Sequence, residues 1–421
     1  MSSSISSSRS TYAKILLAMV LGMGLAMAII RLITFLNDVS GDTILGRVQQ
    51  ARAALPKIVA GEEDLVMFFG SSMVQAGFSA RVFDRLLAER GAEVKSFNFG
   101  FGGLNPLFQD YLARRIREQF EQNDRRLELA LLEFNPFQTT QKRYNGAVSA
   151  IDSFVTMLAS PAEMWEIALR DPTRGVRMLN IHYLRDDISA EMITNEFGGA
   201  FRPPIPTSDL PEDEALEERI DALGDQLGEK FDEEYPDYDG AQWSWPWQGA
   251  GTIPSERSAE TLELFDEWYA IRNHDRRMSN DRLWRDHCCD ILGLNFEEEL
   301  VAAYIRLVKE FQRFSNRVEV VLLPRNTDWI EYSPEAAARL AAVVERIEHE
   351  TGLNLRDYQT LPEITPDMYS DTTHLARYLG DVPFTEFLVD EYAESLGGSP
   401  EAAPEVHSGG QDSTAETSTT Q

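Results

Sequence analysis

Five short runs dense in Val, Ile, Leu and Phe fix what this chain can fold into: Asp64 to Phe69, Glu93 to Phe97, Leu127 to Phe134, Arg317 to Leu323 and Leu353 to Asp357. Apolar residues at consecutive positions are the mark of strands buried on both faces. Between the runs the spacing changes to three and four. Ser79 can cap a helix with Val82, Phe83, Leu86 and Leu87 on one face and Gly91 just past its end. Asn105-Pro106 opens a second, with Leu107, Phe108, Tyr111, Leu112 and Ile116 on its buried side. Leu300 to Phe314 repeats the helical spacing, and Ser333-Pro334 starts a helix carrying Leu340, Val343, Val344 and Ile347. Strand alternating with helix predicts an α/β fold, a doubly wound (flavodoxin-like) parallel sheet of about five strands.

The alternation is interrupted once. A mostly helical, acidic stretch at 146–296 separates the third strand from the fourth, so the sheet domain is expected in two parts, 37–145 and 297–396, around an insertion or cap. From Pro206 to Gly240 the insertion holds 14 acidic residues against only Arg219 and Lys230, a solvated face. Trp243, Trp245 and Trp247 follow at alternate positions, suited either to packing in a core or to stacking on sugar rings. Beyond Leu396 the chain is poor in apolar residues, and 397–421 reads as a disordered tail.

Thirty-nine Lys and Arg against 69 Asp and Glu give a formal charge of -30, which argues against nucleic acid as a partner. Ile15 to Ile30 are all apolar or glycine, and the pattern runs on past Arg31 to Leu36, approaching the ~20 residues that span a bilayer. One transmembrane anchor is expected at 12–36, after a short tail at 1–11. Arg9 and Lys14 precede it and Asp38 and Asp42 follow, which leaves the tail in the cytoplasm and the rest outside. A cleaved signal peptide ending at Ala26-Met27-Ala28 is the competing reading. Cys288 and Cys289 are adjacent and would close a strained ring if paired, so they are no disulfide framework. With His287 beside them, three consecutive residues are poorly placed to meet at one ion, and no metal or other cofactor is expected.

In open parallel sheets, ligands bind beyond the carboxyl ends of the strands. The residues found there are Gly70, Ser71 and Ser72 after the first strand, Asn98 to Gly103 after the second, Asn135 after the third, Arg325 and Asn326 after the fourth, and Asp371-Thr372-Thr373-His374 beyond the fifth. A serine hydroxyl becomes a nucleophile when a histidine takes its proton, and a carboxylate that orients the histidine stabilises the imidazolium. Ser72, His374 and Asp371 can fill these roles. The N–H groups of Ser72 and Gly103 and the Asn135 side-chain amide are candidate oxyanion donors. Arg325 and Asn326 are candidate substrate contacts. His182, His274, His287, His349 and His407 are expected to be structural or on the surface.

These blocks, in this order, resemble the SGNH (GDSL-like) hydrolase superfamily. Its Gly-Asp-Ser falls on Gly70-Ser71-Ser72, with Ser71 where the family usually has Asp; its glycine falls on Gly103, its asparagine on Asn135, and its acid and base on Asp371 and His374. The third block departs from the pattern, since Glu133-Phe134-Asn135-Pro136 lacks the preceding glycine and the following acid. With its N-terminal helix the chain is most similar to membrane-anchored SGNH-like proteins that work beside membrane-bound O-acyltransferases, such as those acting in teichoic-acid D-alanylation or in acetylation of exported alginate-type polysaccharides. The resemblance implies a serine esterase or O-acyltransferase acting on acyl esters of an envelope polymer, needing no cofactor. Its rival is a catalytically inactive glycan-binding or assembly subunit of the same fold.

Overall fold

The computed structural model describes residues 5–36, 44–147, 151–183, 207–234 and 258–398. The five expected strands are all present and form one sheet: β1 (Asp64–Ser71), β2 (Val94–Phe101), β3 (Leu127–Glu133), β4 (Ser315–Leu322) and β5 (Leu355–Asp357). Every neighbouring pair is parallel, in the order β2-β1-β3-β4-β5. This is the order of a doubly wound α/β sheet. The chain steps one way from β1 to β2 and the other way for every later strand, so a crevice opens where the direction reverses, beyond the carboxyl ends of β1 and β3.

Along the chain the helices are α1 (Ile5–Leu36), α2 (Ile44–Val59), α3 (Ser72–Gly77), α4 (Ala80–Glu89) and α5 (Pro106–Gln122). The insertion contributes α6 (Gln141–Ala147), α7 (Ile151–Leu158), α8 (Pro161–Arg170), α9 (Pro172–Tyr183), α10 (Glu214–Glu234), α11 (Ala259–Arg272) and α12 (Asp275–Cys289). The chain then returns to the sheet with α13 (Glu298–Phe314), α14 (Pro334–Thr351) and α15 (Asp381–Tyr392). Right-handed crossovers put α4 on one face and α5, α13 and α14 on the other. The packing agrees, with α4 against α15, and α5 against both α13 and α2.

The core forms where these layers meet the sheet. Phe68, Phe69, Phe99, Phe101, Leu131 and Leu132 are all buried, and Phe311 of α13 stands with its ring 5.1 Å from that of Phe69. Burying each such side chain is worth about 1.5–3 kcal/mol, so the central strands carry much of the stability. Two expected caps form: Asn105 Oδ1 accepts from Leu107 N at 3.1 Å and Ser333 Oγ from Ala336 N at 3.2 Å. The cap expected of Ser79 does not. Its side chain makes no capping bond, and its N–H instead donates to Thr385 Oγ1 at 3.0 Å, tying the start of α4 to α15.

The N-terminal stretch is one 32-residue helix. Leu16, Leu17, Met19, Val20 and Leu21 are each more than half exposed. Among the described residues no helix is long and apolar enough to cross a membrane, so the anchor expected at 12–36 rests on the sequence. Part of the acidic run forms α10. Trp243, Trp245 and Trp247, His407, and the tail from 399 onward lie outside the described residues, as does the side chain of His182. Cys288 and Cys289 are both free thiols.

Candidate active site

β1 ends at Ser71 and α3 begins at Ser72, so the two serines straddle a strand-to-helix elbow. Two glycines permit it. A Cβ on Gly70 would overlap the Glu133 carboxylate, and one on Gly100 would overlap the backbone of Gln75, so neither position admits a side chain. Ser71 Oγ caps α3 by accepting from Met73 N at 3.2 Å. Ser72 is the first residue of that helix. Its N–H belongs to the first-turn donors that have no intrahelical acceptor.

Ser72 and His374 are 302 positions apart in the chain and meet across the crevice, with His374 Nε2 2.7 Å from Ser72 Oγ. His374 Nδ1 lies 2.8 Å from Asp371 Oδ2. An ionised carboxylate can only accept, so the proton sits on Nδ1 and the bare Nε2 accepts the Ser72 hydroxyl hydrogen. Both Asp371 oxygens are engaged. Oδ1 accepts from Thr373 N at 2.8 Å and His374 N at 2.9 Å, while Oδ2 also accepts from Arg285 Nη2 at 2.8 Å. Burial alone would raise the Asp371 carboxyl, but the charge and hydrogen bond of His374, together with the Arg285 charge, hold it well below the usual carboxylate range. Ser72 and His374 are each partly exposed, so the pair faces solvent rather than a sealed interior.

A second network adjoins Ser72 through its neighbour Ser71. Ser71 Oγ donates to Glu133 Oε1 at 3.0 Å and accepts from Asn135 Nδ2 at 2.8 Å, and Glu133 Oε2 accepts the Ser71 N–H. Burial pushes the Glu133 carboxyl up to about 7, against the lowering effect of its bonds from Ser71 and Asn135. Here the geometry corrects the expectation for Asn135. Its amide is committed to Ser71 Oγ and, at 3.4 Å, to Met73 Sδ, while its Oδ1 accepts from Phe137 N at 2.8 Å. Asn135 therefore braces the elbow and is dropped from the oxyanion donors.

The glycine turn lies against the same elbow. A Cβ on Gly102 would be 3.9 Å from Ser72 Cβ, and the Gly102 N–H is given to Gln75 Oε1 at 3.1 Å. Gly103 adopts φ +74°, which favours glycine, and its carbonyl is held by Arg143 Nη2 at 2.7 Å. On the other side Arg47 Nε of α2 holds the Gly100 carbonyl at 2.9 Å. The two glycine carbonyls are thus clamped by cations from two different helices.

Arg325 and Asn326 do not fit the expected role as substrate contacts. The Arg325 guanidinium donates to the Ile330 carbonyl and stacks 4.4 Å above the Tyr332 ring. Asn326 is fully buried, its backbone carbonyl accepting from Ile330 N at 2.9 Å, and both side-chain polar atoms lack a protein partner. Both residues build the turn after β4. Replacing a buried, unpaired amide with an apolar group of similar shape removes a desolvation cost. Asn326→Leu is therefore expected to leave stability unchanged or raise it by ~1 kcal/mol, with activity on an acyl ester within about twofold. Denaturant unfolding and initial rates check both; a large loss of rate at unchanged stability would return Asn326 to the substrate site.

The crevice also contains residues that sequence reading did not single out: Glu133, Arg143, Asp281 and Arg285. Glu133 was legible only as the residue before Phe134, and Arg285 lies 86 positions from the carboxylate it touches. His274 Nε2 lies 3.3 Å from Glu217 Oε1 within the insertion. A cavity of about 400 Å³ between α2, α5 and the start of α8, lined in part by Arg52, Arg115 and Pro161, is distinct from this crevice and is lined by none of the triad. Compared with known proteins, the chain matches no family model and no curated relative.

Proposed function

We propose that this chain is a membrane-anchored, extracytoplasmic serine esterase or O-acyltransferase of SGNH type, acting on acyl esters of an envelope polysaccharide or related polymer. One observation carries the reading: Ser72, His374 and Asp371 stand in a hydrogen-bonded line at 2.7 and 2.8 Å, at the switch point of a parallel sheet. Ser72 Oγ attacks the acyl carbon while its proton passes to His374 Nε2. The N–H groups of Ser72 and Gly103 receive the developing oxyanion. The imidazolium, stabilised by Asp371, returns the proton to the departing alcohol and leaves an acyl-Ser72 ester. Water or a sugar hydroxyl, deprotonated by His374, then takes the acyl group, which gives hydrolysis or transfer.

The anchor is supported by α1. Its apolar side chains at 15, 16, 17, 19, 20 and 21 spread over about two thirds of the helix circumference and stay exposed, a pattern that water does not favour and hydrocarbon does. α2, the next helix, is tied to the crevice through Arg47 and the Gly100 carbonyl. A site held near the membrane on the outer side suits acceptance of acyl groups from a membrane-bound O-acyltransferase. The second reading, an inactive glycan-binding or assembly subunit, draws on the committed Asn135 amide, which leaves two oxyanion donors rather than three. A fluorophosphonate probe decides between them. The full-length protein is expected to be labelled and Ser72→Ala unlabelled; a folded wild type that takes no label favours the subunit.

A further inference from the structure

We infer that the helical insertion supplies positioning residues for the reaction, Arg285 of α12 holding the triad acid Asp371 and Asp281 holding Arg285. The inference rests on the serine-hydrolase reading above. The segment from Tyr369 to His374 lies outside any helix or strand ladder apart from a single bridge between Tyr369 and Leu375. Besides the bonds it makes within itself, it is held by side chains of α11, α12 and the turn between them. Asn273 Nδ2 donates to the Tyr369 carbonyl at 2.5 Å and Arg272 Nη1 to the Ser370 carbonyl at 3.0 Å. Asp281 Oδ2 accepts from both the Thr372 N–H, at 3.1 Å, and the Thr372 hydroxyl. Arg285 completes the series, with Nε on Asp281 Oδ2 at 2.7 Å and Nη2 on Asp371 Oδ2 at 2.8 Å. Four successive residues, 369 to 372, are thus each gripped by a different side chain of the insertion.

Arginine suits this place because its planar fork presents two donors at a fixed separation, and here they bridge two carboxylates. A lysine ammonium is a point charge on a flexible stem and cannot hold both in one orientation. Arg285 has a second effect. Nη2 lies 3.3 Å from His374 Nδ1, and both groups donate to the same Asp371 oxygen, so a positive charge stands beside the ring as well as on its acid. Around the dyad, Glu133 of β3 interacts with His374, Arg285 of α12 and Arg272 of α11 interact with Asp371, and Asp281 and Cys289 of α12 interact with Arg285. Arg285 is the cation in direct contact with the dyad.

The test follows fluorophosphonate labelling of the full-length protein at Ser72 from pH 5 to 9, with Ser72→Ala as the blank. Arg285→Ala is expected to label ~10–100-fold more slowly, with the acid limb of its pH–rate profile displaced upward by about one unit. Arg285→Lys keeps the charge, so its limb stays in place while its rate remains about tenfold down. Asp281→Asn should lower the rate without displacing the limb upward, since it removes a negative charge and leaves the guanidinium in place. A wild-type rate and profile in Arg285→Ala, or equal losses in every variant with no limb displaced, overturn the inference, the second outcome marking a merely structural role. If Arg285→Ala does not fold, a wild-type rate in both Arg285→Lys and Asp281→Asn overturns it. An unlabelled wild type instead overturns the hydrolase reading and this inference together, whereas a labelled wild type with an unaffected Arg285→Ala overturns the inference alone.

Discussion

His374→Ala is expected to lower kcat/KM of the full-length protein on a soluble acyl ester by about ten-thousand-fold or more, nearly all of it in kcat. The hydroxyl of Ser72 is a weak nucleophile until its proton has somewhere to go, and among the described residues the base in contact with it is His374 Nε2 at 2.7 Å. Glu133, the carboxylate beside the neighbouring serine, is spent on Ser71. Binding of the ester does not depend on the imidazole, so KM should move little. Asp371→Asn should cost about a hundred- to ten-thousand-fold, because the amide can still sit beside the ring but no longer fixes the proton on Nδ1 or stabilises the imidazolium. Steady-state rates and the rate of fluorophosphonate labelling measure both variants. A His374→Ala protein that labels at the wild-type rate would mean that the observed triad is not the machinery.

The sheet and the triad were legible in the sequence for one shared reason. Strands buried on both faces are written as unbroken apolar runs, and in a doubly wound sheet the residue after such a run is already at the crevice. Ser72, Asn135 and Gly103 could be placed that way, and His374 with Asp371 by their spacing of three. What escaped notice depends on register and on long-range docking. β1 extends past Phe69 to Ser71 because its backbone pairs with Phe101, although glycine and serine carry no apolar signal. That extension brings Ser71 over Glu133, a carboxylate whose partner no local pattern announces. Arg285 lies in a helix crowded with Arg276, Arg277, Asp281, Arg282 and Asp286, where one more charge looks like solvent-facing surface. Asn326 follows a strand just as Ser72 does, yet its turn folds inward and buries it. Position after a strand selects the crevice end of a residue and leaves its direction open.

Glu133 makes the second large effect, on stability as a function of pH. Its folded carboxyl, pushed by burial to about 7, binds a proton across the range from about 4.5 to 7 in which the unfolded chain has released it. The folded state therefore holds more protons there, and stability falls as pH rises through that window, by ~3 kcal/mol for this group. Asp84 and Asp381, each raised by burial to about 6, act in the same direction over a shorter span. Asp371 acts oppositely: its depressed carboxyl contributes stability above about pH 4 that is lost on further acidification. On these four groups the protein should thus be most stable near pH 4 and weaken steadily toward neutrality. Glu133→Gln keeps a carbonyl to accept from Ser71 and removes the titration, so its unfolding free energy from urea titrations at pH 5, 6 and 7.5 should decline less steeply than that of the wild type. The slope that remains would belong to Asp84 and Asp381. Parallel curves for the two proteins would show that the carboxylate on Ser71 is already ionised at pH 5, and that the elbow carries a buried negative charge rather than a shared proton.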